Sequence, residues 1–325
     1  MPLDLRSADA MLALQSMPRI GPATALKAAI RSGWSDPPVD AGELERARER
    51  VREQLYEYGQ SGVSVLSYFD DAYPPLLRQI PDPPPVLYVR GDLGPVSDSR
   101  AVAVVGTREP SQFGTTAANQ LTRALSNAGW VIVSGLAKGI DTLAHQTTLE
   151  AGGRTVAILG CGLDRIYPRE NTALAEAILA SGGALISELP FGAQPIARNL
   201  VQRDRLQSGM SAAVVIAQTG IKGGTLHTAR FAAEQRRQVF CPEPHNENEK
   251  SDGLRVLLEQ PAAELYKILP AWKAAAKLCT ELGPRPLARP VRRDQIDAFL
   301  DELEVAASSA SADDQASLVI PGLAV

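Results

Sequence analysis

Residues 101–108, AVAVVGTR, form an apolar run that stops abruptly at a glycine. The same arrangement recurs at residues 130–139, WVIVSGLAKG, and at residues 155–162, TVAILGCG. Each run is typical of a buried parallel strand, and each precedes a stretch with the length and pattern of a helix. The repetition predicts an α/β fold, namely an extended, Rossmann-like, doubly wound and mostly parallel sheet. Its strand ends would form one crevice for a phosphate-bearing ligand.

The bulk composition is that of a globular protein. The chain has 325 residues, of which 45% are hydrophobic and 22% are charged. Because the net charge is -4, any residues that bind nucleic acid must be gathered on one face. We see neither a run long enough for a membrane helix nor a signal-peptide pattern, so we predict a cytoplasmic protein with no membrane partner.

The cysteines do not indicate a metal site or a disulfide framework. The chain has three, Cys161, Cys241 and Cys279, and their spacing is not that of paired ligands. Cys241 and His245 are four residues apart, but a single pair is poor evidence for a metal. We therefore predict no metal and no cofactor.

The first 85 residues are predicted to form a small helical module with a linker. The turn at residues 17–24, MPRIGPAT, resembles a helix-hairpin-helix, in which backbone N–H groups can meet a DNA phosphate. Such turns also connect helices without binding anything. Residues 43–58 are typical of a charged surface helix, and the prolines at 81–85 mark a stiff linker.

The sheet domain is predicted over residues 86–270. Further strands are expected at residues 184–188, 212–217 and 238–241, and the clearest helices at 122–129, 140–151, 172–181 and 225–236. Residues 271–325 would hold a linker at 283–290, one amphipathic helix at about 294–305 and a mobile tail from Ser308. The apolar residues 318–321 could pack on the body of the protein or on a partner.

Two basic side chains stand at the ends of the first two strands. Arg108 comes directly after the first strand, where its planar guanidinium group can hold a phosphate with two hydrogen bonds. The alternative is a solvated loop residue. Lys138 adds a point charge to the second loop. The neighbouring residues that would shape the pocket or donate backbone N–H groups to it are Gly106, Thr107, Ser134, Gly135 and Gly139.

Other polar residues of these loops are given structural roles. Asp141 is predicted to cap the following helix, and Asn171 the next one. His145 lies four residues after Asp141 and is predicted to be a packing or hydrogen-bonding residue. In the third loop, Gly160 and Gly162 would allow a ligand to approach the backbone closely.

Two later segments add candidates. Residues 198–205, RNLVQRDR, contain three arginines, and Asp204 could orient Arg203 and Arg205 through ion pairs. A surface salt-bridge cluster is the alternative. Residues 222–228, KGGTLHT, follow the fifth strand and open a helix, a geometry that can cradle a phosphate. The residues assigned to this cradle are Lys222, Gly223, Gly224 and Thr225.

Together these motifs resemble the DNA-processing protein A family, DprA, which is also called Smf. The family's order and spacing occur in residues 105–111, 134–145, 159–171 and 187–192, and the resemblance covers about residues 74–260. It implies an extended Rossmann domain that binds single-stranded DNA at the strand ends, and a homodimer. In natural transformation it also implies loading of the recombinase RecA onto incoming strands. By matching position, it makes Arg108, Lys138, Arg203 and Arg205 phosphate-binding residues, with Gly106, Ser134 and Gly135 shaping the pocket.

The chain departs from the family pattern in its second half. The family usually has Arg-Asn-Arg where this chain has Arg203-Asp204-Arg205, and a carboxylate there weakens anion binding unless the arginines hold it. The family's Val-Pro-Gly after the sixth strand is replaced by residues 241–244, CPEP. The family's C-terminal winged helix is not evident.

Three functions remain open from the sequence. The first is non-catalytic binding of single-stranded DNA, with Phe113, Tyr167 or Phe191 available for base stacking. The second is a nucleotide-binding sensor or a nucleoside-monophosphate-processing enzyme. Phosphoribohydrolases with a similar sheet carry the loop Gly-Gly-x-Gly-Thr-x-x-Glu, and residues 223–225 with Glu234 match it only loosely, with a different spacing. The third, compatible with the first, is a scaffold that joins a larger DNA-repair or defence assembly. Because no nucleophile, base and orienting group occur together, we predict that the protein is not an enzyme.

Overall fold

The computed structural model describes residues 5–30, 40–96, 100–244 and 249–312. Within these residues, the strands are β1 (Val63–Ser67), β2 (Val86–Gly91), β3 (Ala101–Gly106), β4 (Val131–Ser134), β5 (Thr155–Ile158), β6 (Ala184–Ser187), β7 (Ala213–Gln218), β8 (Gln238–Pro242) and β9 (Ala288–Val291). The helices are α1 (Ala8–Gln15), α2 (Pro22–Ile30), α3 (Ala41–Gln60), α4 (Pro75–Arg78), α5 (Gln112–Asn127), α6 (Ile140–Glu150), α7 (Thr172–Ala180), α8 (Ala197–Gly209), α9 (Thr225–Glu234), α10 (Asp252–Glu259), α11 (Leu265–Ile268), α12 (Ala276–Leu282) and α13 (Ile296–Ala312).

The strands form one sheet in the order β1-β2-β6-β5-β4-β3-β7-β8-β9. The strands from β6 to β9 are all parallel, whereas β2 runs antiparallel to both β1 and β6. The chain moves outward from β3 through β6 and then returns to the other side of β3 as β7. This reversal makes a topological switch point between β3 and β7, which is where ligands bind in such sheets. The predicted doubly wound, mostly parallel sheet is confirmed.

The parallel strands are buried on both faces. Every residue of β4, β5, β6 and β7 is buried, which explains why these strands are continuous apolar runs rather than alternating ones. Helix α6 packs against α5 and α7, and α8 packs against α9. Because crossovers between parallel strands are almost always right-handed, the strand order puts these two groups of helices on opposite faces of the sheet.

The helices predicted at 140–151, 172–181 and 225–236 are confirmed as α6, α7 and α9, with shifts of one or two residues at their C-terminal ends. The helix predicted at 122–129 is only the C-terminal part of α5, which begins ten residues earlier, at Gln112. The surface helix α3 extends two residues beyond the prediction at each end, and Asp40 begins it by accepting a hydrogen bond from Glu43 N–H. Within the described ranges, no helix is both long and apolar enough to cross a bilayer.

The N-terminal part of the chain differs from the prediction, because it contributes to the sheet. Residues 63–67 form the edge strand β1, and residues 75–78 form α4. The predicted linker at 81–85 has no regular secondary structure, but its residues 83–85 are buried, so it is not a free linker. Pro75 occupies the first position of α4, where proline is tolerated, and Leu77 and Ile80 are buried. The ring of Tyr58 lies 4.4 Å from that of Phe191, so α3 packs directly on the sheet domain.

The C-terminal part also differs. The predicted linker at 283–290 contains the start of β9, which pairs in parallel with β8 as an edge strand and therefore tolerates Pro290. Helix α13 continues past the predicted end at residue 305 to residue 312. The rest of the predicted mobile tail, residues 313–325, lies outside the described residues.

Packing of α13 on the sheet makes a direct prediction. Leu303 is fully buried in the cluster that contains Phe240 and Phe299. We expect Leu303→Ala to lower the free energy of unfolding by about 2–5 kcal/mol, because it removes buried methyl groups and leaves a cavity. Val305 on the same helix is 67% exposed, so Val305→Ala should change it by less than about 0.5 kcal/mol. Urea unfolding of both variants checks this, and equal midpoints would show that α13 is not part of the folded core.

Candidate functional site

Three exposed cationic side chains stand at the carboxyl-terminal edge of the parallel sheet. Arg108 follows β3, Lys138 follows β4 and Lys222 follows β7, and these are the strands at and beside the switch point. Lys138 pairs with Glu170 at 2.5 Å, in a contact that solvent reaches freely. Arg108 and Lys222 make no side-chain hydrogen bond or ion pair with any residue that the structure describes. The structure therefore brings together the three exposed cations among the predicted site residues.

The first loop, residues 107–111, is tied to the end of β7 by Gln218. Its side-chain oxygen accepts a hydrogen bond from Ser111 N–H at 2.8 Å, and its amide nitrogen donates to Ser111 Oγ and Ser251 Oγ at 2.8 Å each. A Cβ on Gly114 would overlap this amide. Gln218 is not among the site residues predicted from the sequence, although a polar residue that ends the apolar run AVVIAQ is a usable signal.

Glycines in the first two loops allow the loops to pack on each other. Thr107 N–H donates to Gln218 O at 2.8 Å, and Ile140 N–H donates to Thr107 O at 3.1 Å. A Cβ on Gly106 would overlap Ile140, and one on Gly139, where φ is +78°, would overlap the backbone of Thr107. These glycines therefore shape the edge by contact with the chain's own backbone.

Asp141 organises the second loop. Its carboxylate accepts hydrogen bonds from Gly135 N–H at 3.1 Å and Ala137 N–H at 3.4 Å. The prediction that it caps α6 is wrong, because Gly139 holds the N-cap position and Asp141 reaches back to loop amides. Burial raises the pKa of Asp141, and the nearby Arg203 opposes that rise.

His145 is locked in the neutral state. Thr155 Oγ1 donates to Ile132 O at 2.7 Å and so accepts from His145 Nδ1, which lies 2.7 Å away. His145 Nε2 then accepts from Leu136 N–H at 3.3 Å. Burial, and secondly Arg203, lower the pKa of His145 to about 3. The predicted packing and hydrogen-bonding role is confirmed.

Asn171 joins the third loop to the second. Its side-chain nitrogen donates to Leu136 O at 2.7 Å and to Thr142 Oγ1 at 2.9 Å. Although Asn171 stands at the N-cap position of α7, its side chain makes no capping hydrogen bond, so the predicted role is wrong. The reason is that buried carbonyl groups of the second loop need a donor, whereas the N-terminus of α7 can reach water.

Arg203 lies beneath the edge rather than on it. Its guanidinium group donates to Gly135 O at 2.6 Å and to Ile158 O, and thereby joins the ends of β4 and β5. The residue is 5% exposed, and a Cβ on Gly135 would overlap it. Ser134, predicted beside it, is fully buried and donates to Val104 O at 2.7 Å. Both residues hold the edge together.

Arg205 lies apart from Arg203 because two residues of a helix turn the side chain to another face of α8. It pairs with Asp82 at 2.9 Å and with Glu188 at 2.5 Å. Asp204 pairs with Arg203 at 3.2 Å, and no ion pair joins it to Arg205. The expectation that Asp204 orients both arginines therefore holds only for Arg203.

Asp204 lies close to the exposed Arg108. Its side chain is 14% exposed, and burial raises its pKa to about 7. Arg203 and Arg108 oppose this rise, whereas the carboxylate of Asp141 reinforces it. An acid that titrates near neutral pH thus stands beside the predicted phosphate contact.

The third loop does not leave its glycines open to a ligand. A Cβ on Gly160 would press on Leu200, and one on Gly162 would overlap Pro190 O. The space expected for a ligand is filled by the first turn of α8 at Gly160 and by the segment between β6 and α8 at Gly162, so this expectation is wrong. The connection from β6 to α8 is long, and its position against the third loop could not be predicted from the spacing of residues in the sequence.

The loop after β7 is open at Gly224 and packed at Gly223. Gly224 has no atom within 4 Å of the position of a Cβ, and it stands at the N-cap of α9. Gly223 is packed against Thr219 instead. Thr225, the first residue of α9, is half-buried. Glu234 pairs with Arg230 at 2.6 Å, which favours its role as a core-edge partner over that of a ribose ligand.

The three aromatic residues considered for base stacking differ in access. Phe191 packs on Tyr58, and Phe113 is half-buried against the core. Tyr167 is 39% exposed. It is therefore the best placed of the three to meet a base.

The cysteines are buried and free. Burial raises the pKa of Cys161 to about 11 and that of Cys241 further still, so neither supplies a thiolate near neutral pH. Among the described residues, no three His, Cys, Asp or Glu side chains are grouped to hold a metal ion. His245 lies outside those residues.

We call the hydrogen bonds from Arg203 to Gly135 O and Ile158 O the Arg203 clamp. A stability measurement tests whether this clamp has a structural role. We expect Arg203→Ala to lower the free energy of unfolding by about 3–5 kcal/mol, because two buried carbonyl groups and the carboxylate of Asp204 are left without their partner. Arg198 begins the same helix and is exposed, so Arg198→Ala should leave stability unchanged within about 0.5 kcal/mol. Urea unfolding compares the two. An Arg203→Ala protein as stable as the wild type would refute the clamp.

Solved structures of DNA processing protein A are among those similar to this fold. The X-ray structure of DNA processing protein A from Streptococcus pneumoniae has a TM-score of 0.67 and 27% sequence identity, and the match covers 80% of this chain and 93% of that one. DNA processing protein A from Helicobacter pylori, described with a unique mode of single-stranded DNA binding, has a TM-score of 0.58 and 27% identity, with coverage of 75% and 96%.

Sequence comparison agrees with the structural one. DNA processing protein DprA of Bacillus subtilis is 39% identical over 199 residues, which are 61% of this chain and 67% of that protein. The family model for DNA recombination-mediator protein A matches residues 64–275, which run from β1 to the segment before α12. The resemblance found in the sequence is confirmed, and the chain belongs to the DNA recombination-mediator protein A family.

Proposed function

We propose that this protein binds single-stranded DNA along the carboxyl-terminal edge of its sheet and acts in DNA uptake and recombination without catalysing a reaction. The observation that carries the proposal is the row of exposed cations, Arg108, Lys138 and Lys222, at the ends of adjacent strands. Because Arg108 and Lys222 make no ion pair or side-chain hydrogen bond within the described residues, they are available to phosphate groups.

The rigidity of the loops supports this proposal. Gln218 fixes the loop that carries Arg108, and Asp141 with Asn171 fixes the loop that carries Lys138. Cations held on fixed loops lose less conformational entropy when a ligand binds than cations on free loops do. The net charge of -4 is compatible with binding, since the positive charges that matter are gathered at one edge.

The family supports the choice of ligand. The Helicobacter pylori relative is described as binding single-stranded DNA, and we extend that ligand to this chain. By the same resemblance we propose a cytoplasmic homodimer that loads the recombinase RecA onto incoming strands. In this proposal, Arg203 and Ser134 hold the strand ends beneath the phosphate pocket, and Arg108, Lys138 and Lys222 contact the strand. Arg205, paired with Asp82 and Glu188, has no part in it.

The chemistry of the edge supports binding rather than catalysis. His145 is buried, and its pKa is lowered to about 3 by burial, so it does not exchange protons near neutral pH. Glu234, which a nucleotide hydrolase would need free, is paired with Arg230. These contacts favour a nucleic-acid-binding protein over the nucleotide-processing alternative.

Charge reversal at Arg108 tests the proposal. We expect Arg108→Glu to weaken binding of single-stranded DNA about tenfold or more and to reduce the salt slope by about 0.7 for each phosphate group that is no longer neutralised. Fluorescence anisotropy with a labelled oligonucleotide at two salt concentrations measures both. Arg154, an exposed arginine at the opposite end of β5, supplies the matched control Arg154→Glu.

Three outcomes contradict the proposal. Unchanged affinity of Arg108→Glu, or equal weakening in both variants, would show that the edge does not bind the strand. Release of free base from nucleoside monophosphates by the wild-type protein would instead favour the nucleotide-processing enzyme.

Asp204 leads to a separate prediction about pH. Its pKa is about 7 in the folded chain and near 3.8 as a free side chain, so the stability it contributes is present below about pH 4 and lost as the pH rises through about 7. Its ionisation adds a negative charge beside Arg108. We therefore expect affinity for single-stranded DNA to fall about threefold to tenfold between about pH 6 and about pH 8.

The variant Asp204→Asn is the test, because it keeps the size of the side chain and removes the charge. It should bind DNA more tightly than the wild type at about pH 8 and equally at about pH 6. Parallel pH profiles for the two proteins would show that Asp204 does not face the bound strand.

A further inference from the structure

A second cationic cleft lies at the third loop, next to the row of cations just described. It has a volume of about 370 Å³ and lies between β2 and the beginning of α7. The residues that line it are Arg90, Leu163, Asp164, Arg165, Ile166, Arg169 and Thr172. We name it the arginine cleft, after Arg90, Arg165 and Arg169. Its volume falls within the range of small-ligand sites.

The charges in the arginine cleft do not cancel. Arg90 makes a solvent-exposed pair with Glu176 at 3.3 Å, and Arg165 pairs with Asp164 at 2.9 Å. Arg169 is exposed and makes no side-chain hydrogen bond or ion pair with any described residue. Three guanidinium groups therefore face two carboxylates, and one of the three is free.

The carboxylate of Asp164 is used within the third loop. One oxygen accepts from Gly192 N–H at 3.0 Å, and the other accepts from Arg165 at 2.9 Å. Arg165 also donates to Gln194 Oε1 at 2.8 Å, which fixes the guanidinium group. A fixed, planar guanidinium group beside a free one suits the oxygens of a phosphate, which accept paired hydrogen bonds.

The arginine cleft is continuous with the edge of the sheet. Arg169 is followed directly by Glu170, which pairs with Lys138, and by Asn171, which bonds to the second loop. Tyr167, 39% exposed, stands in the same loop between Arg165 and Arg169. The exposed ring of Tyr167 in the third loop therefore lies between Lys138 at the sheet edge and the arginines of the cleft.

We propose that the arginine cleft binds a phosphate group of the same DNA strand that lies along the edge of the sheet, with Tyr167 stacking on a base between the two contacts. This inference rests on the proposed function and extends its site around the third loop. Aromatic rings in single-strand-binding sites stack on bases without regard to sequence, while cations follow the backbone.

The lining favours a strand over a free nucleotide. The arginine cleft offers guanidinium groups and two aliphatic side chains, Leu163 and Ile166, and no aromatic ring lies within its wall. A nucleotide site would also need groups that hold the base, whereas a continuing strand has its base held outside on Tyr167. The phosphate alone is what this lining recognises.

The test compares oligonucleotides of two lengths. Labelled oligothymidines of about 6 and about 20 nucleotides are titrated with the wild-type protein, Arg169→Glu and the control Arg154→Glu, which changes an exposed arginine at the opposite edge. We expect Arg169→Glu to weaken binding of the long strand about five- to tenfold and of the short strand less than about twofold. Arg154→Glu should have less than about a twofold effect on either.

The outcomes separate this inference from the proposed function. If Arg169→Glu and Arg154→Glu behave alike on the long strand, the arginine cleft does not bind it. Equal weakening of short and long strands by Arg169→Glu also overturns the proposal, because it indicates a general field rather than a second contact. Binding of thymidine monophosphate by the wild type that is lost in Arg169→Glu would assign the arginine cleft to a free nucleotide and overturn the proposal. If the wild type binds neither strand, the proposed function itself fails.

Discussion

The hydrogen bonds from Arg203 to Gly135 O and Ile158 O are the interaction on which the edge of the sheet depends. Parallel strands end in carbonyl groups that no neighbouring strand satisfies, and at this edge they are also shielded from water. A buried guanidinium group from α8 satisfies two of them at once and ties two strand ends together. Its charge is balanced by Asp204 at 3.2 Å and by the nearby Asp141. Gly135 is required because any side chain there would occupy the space of the clamp.

Across the edge, buried polar side chains hold the backbone, and exposed cationic side chains do not take part in these contacts. Gln218, Asp141 and Asn171 satisfy loop backbone groups from inside, while the exposed cations project from the loops that these residues fix. An uncompensated buried donor or acceptor costs about 1–3 kcal/mol, so these interior contacts determine the loop conformations. The placement of the cations follows from the interior network, and their charge remains available because the network does not use it.

Much of the fold could be predicted from the sequence, because strands buried on both faces must be apolar runs and must end where the chain turns. Arg108 and Lys138 could be predicted to lie at the edge of the sheet, because each follows the end of an apolar run. The role of Arg203 could not, since its residue type matches that of Arg108 and only burial separates them. Gln218 bonds to a serine 107 positions away, and no local pattern encodes such a contact. The edge strand β9 was not predicted, because the prolines in and before it are typical of a linker.

The most direct test of this account is photo-crosslinking of the full chain to an oligothymidine that carries photoreactive bases, followed by mapping of the modified peptides. If the edge binds the strand, cross-links will concentrate in the loops that follow β3, β4, β5 and β7, and charge reversal at Arg108 will reduce them. Cross-links confined to α1–α3 or to α13, and insensitive to Arg108, would place the strand elsewhere and contradict the account.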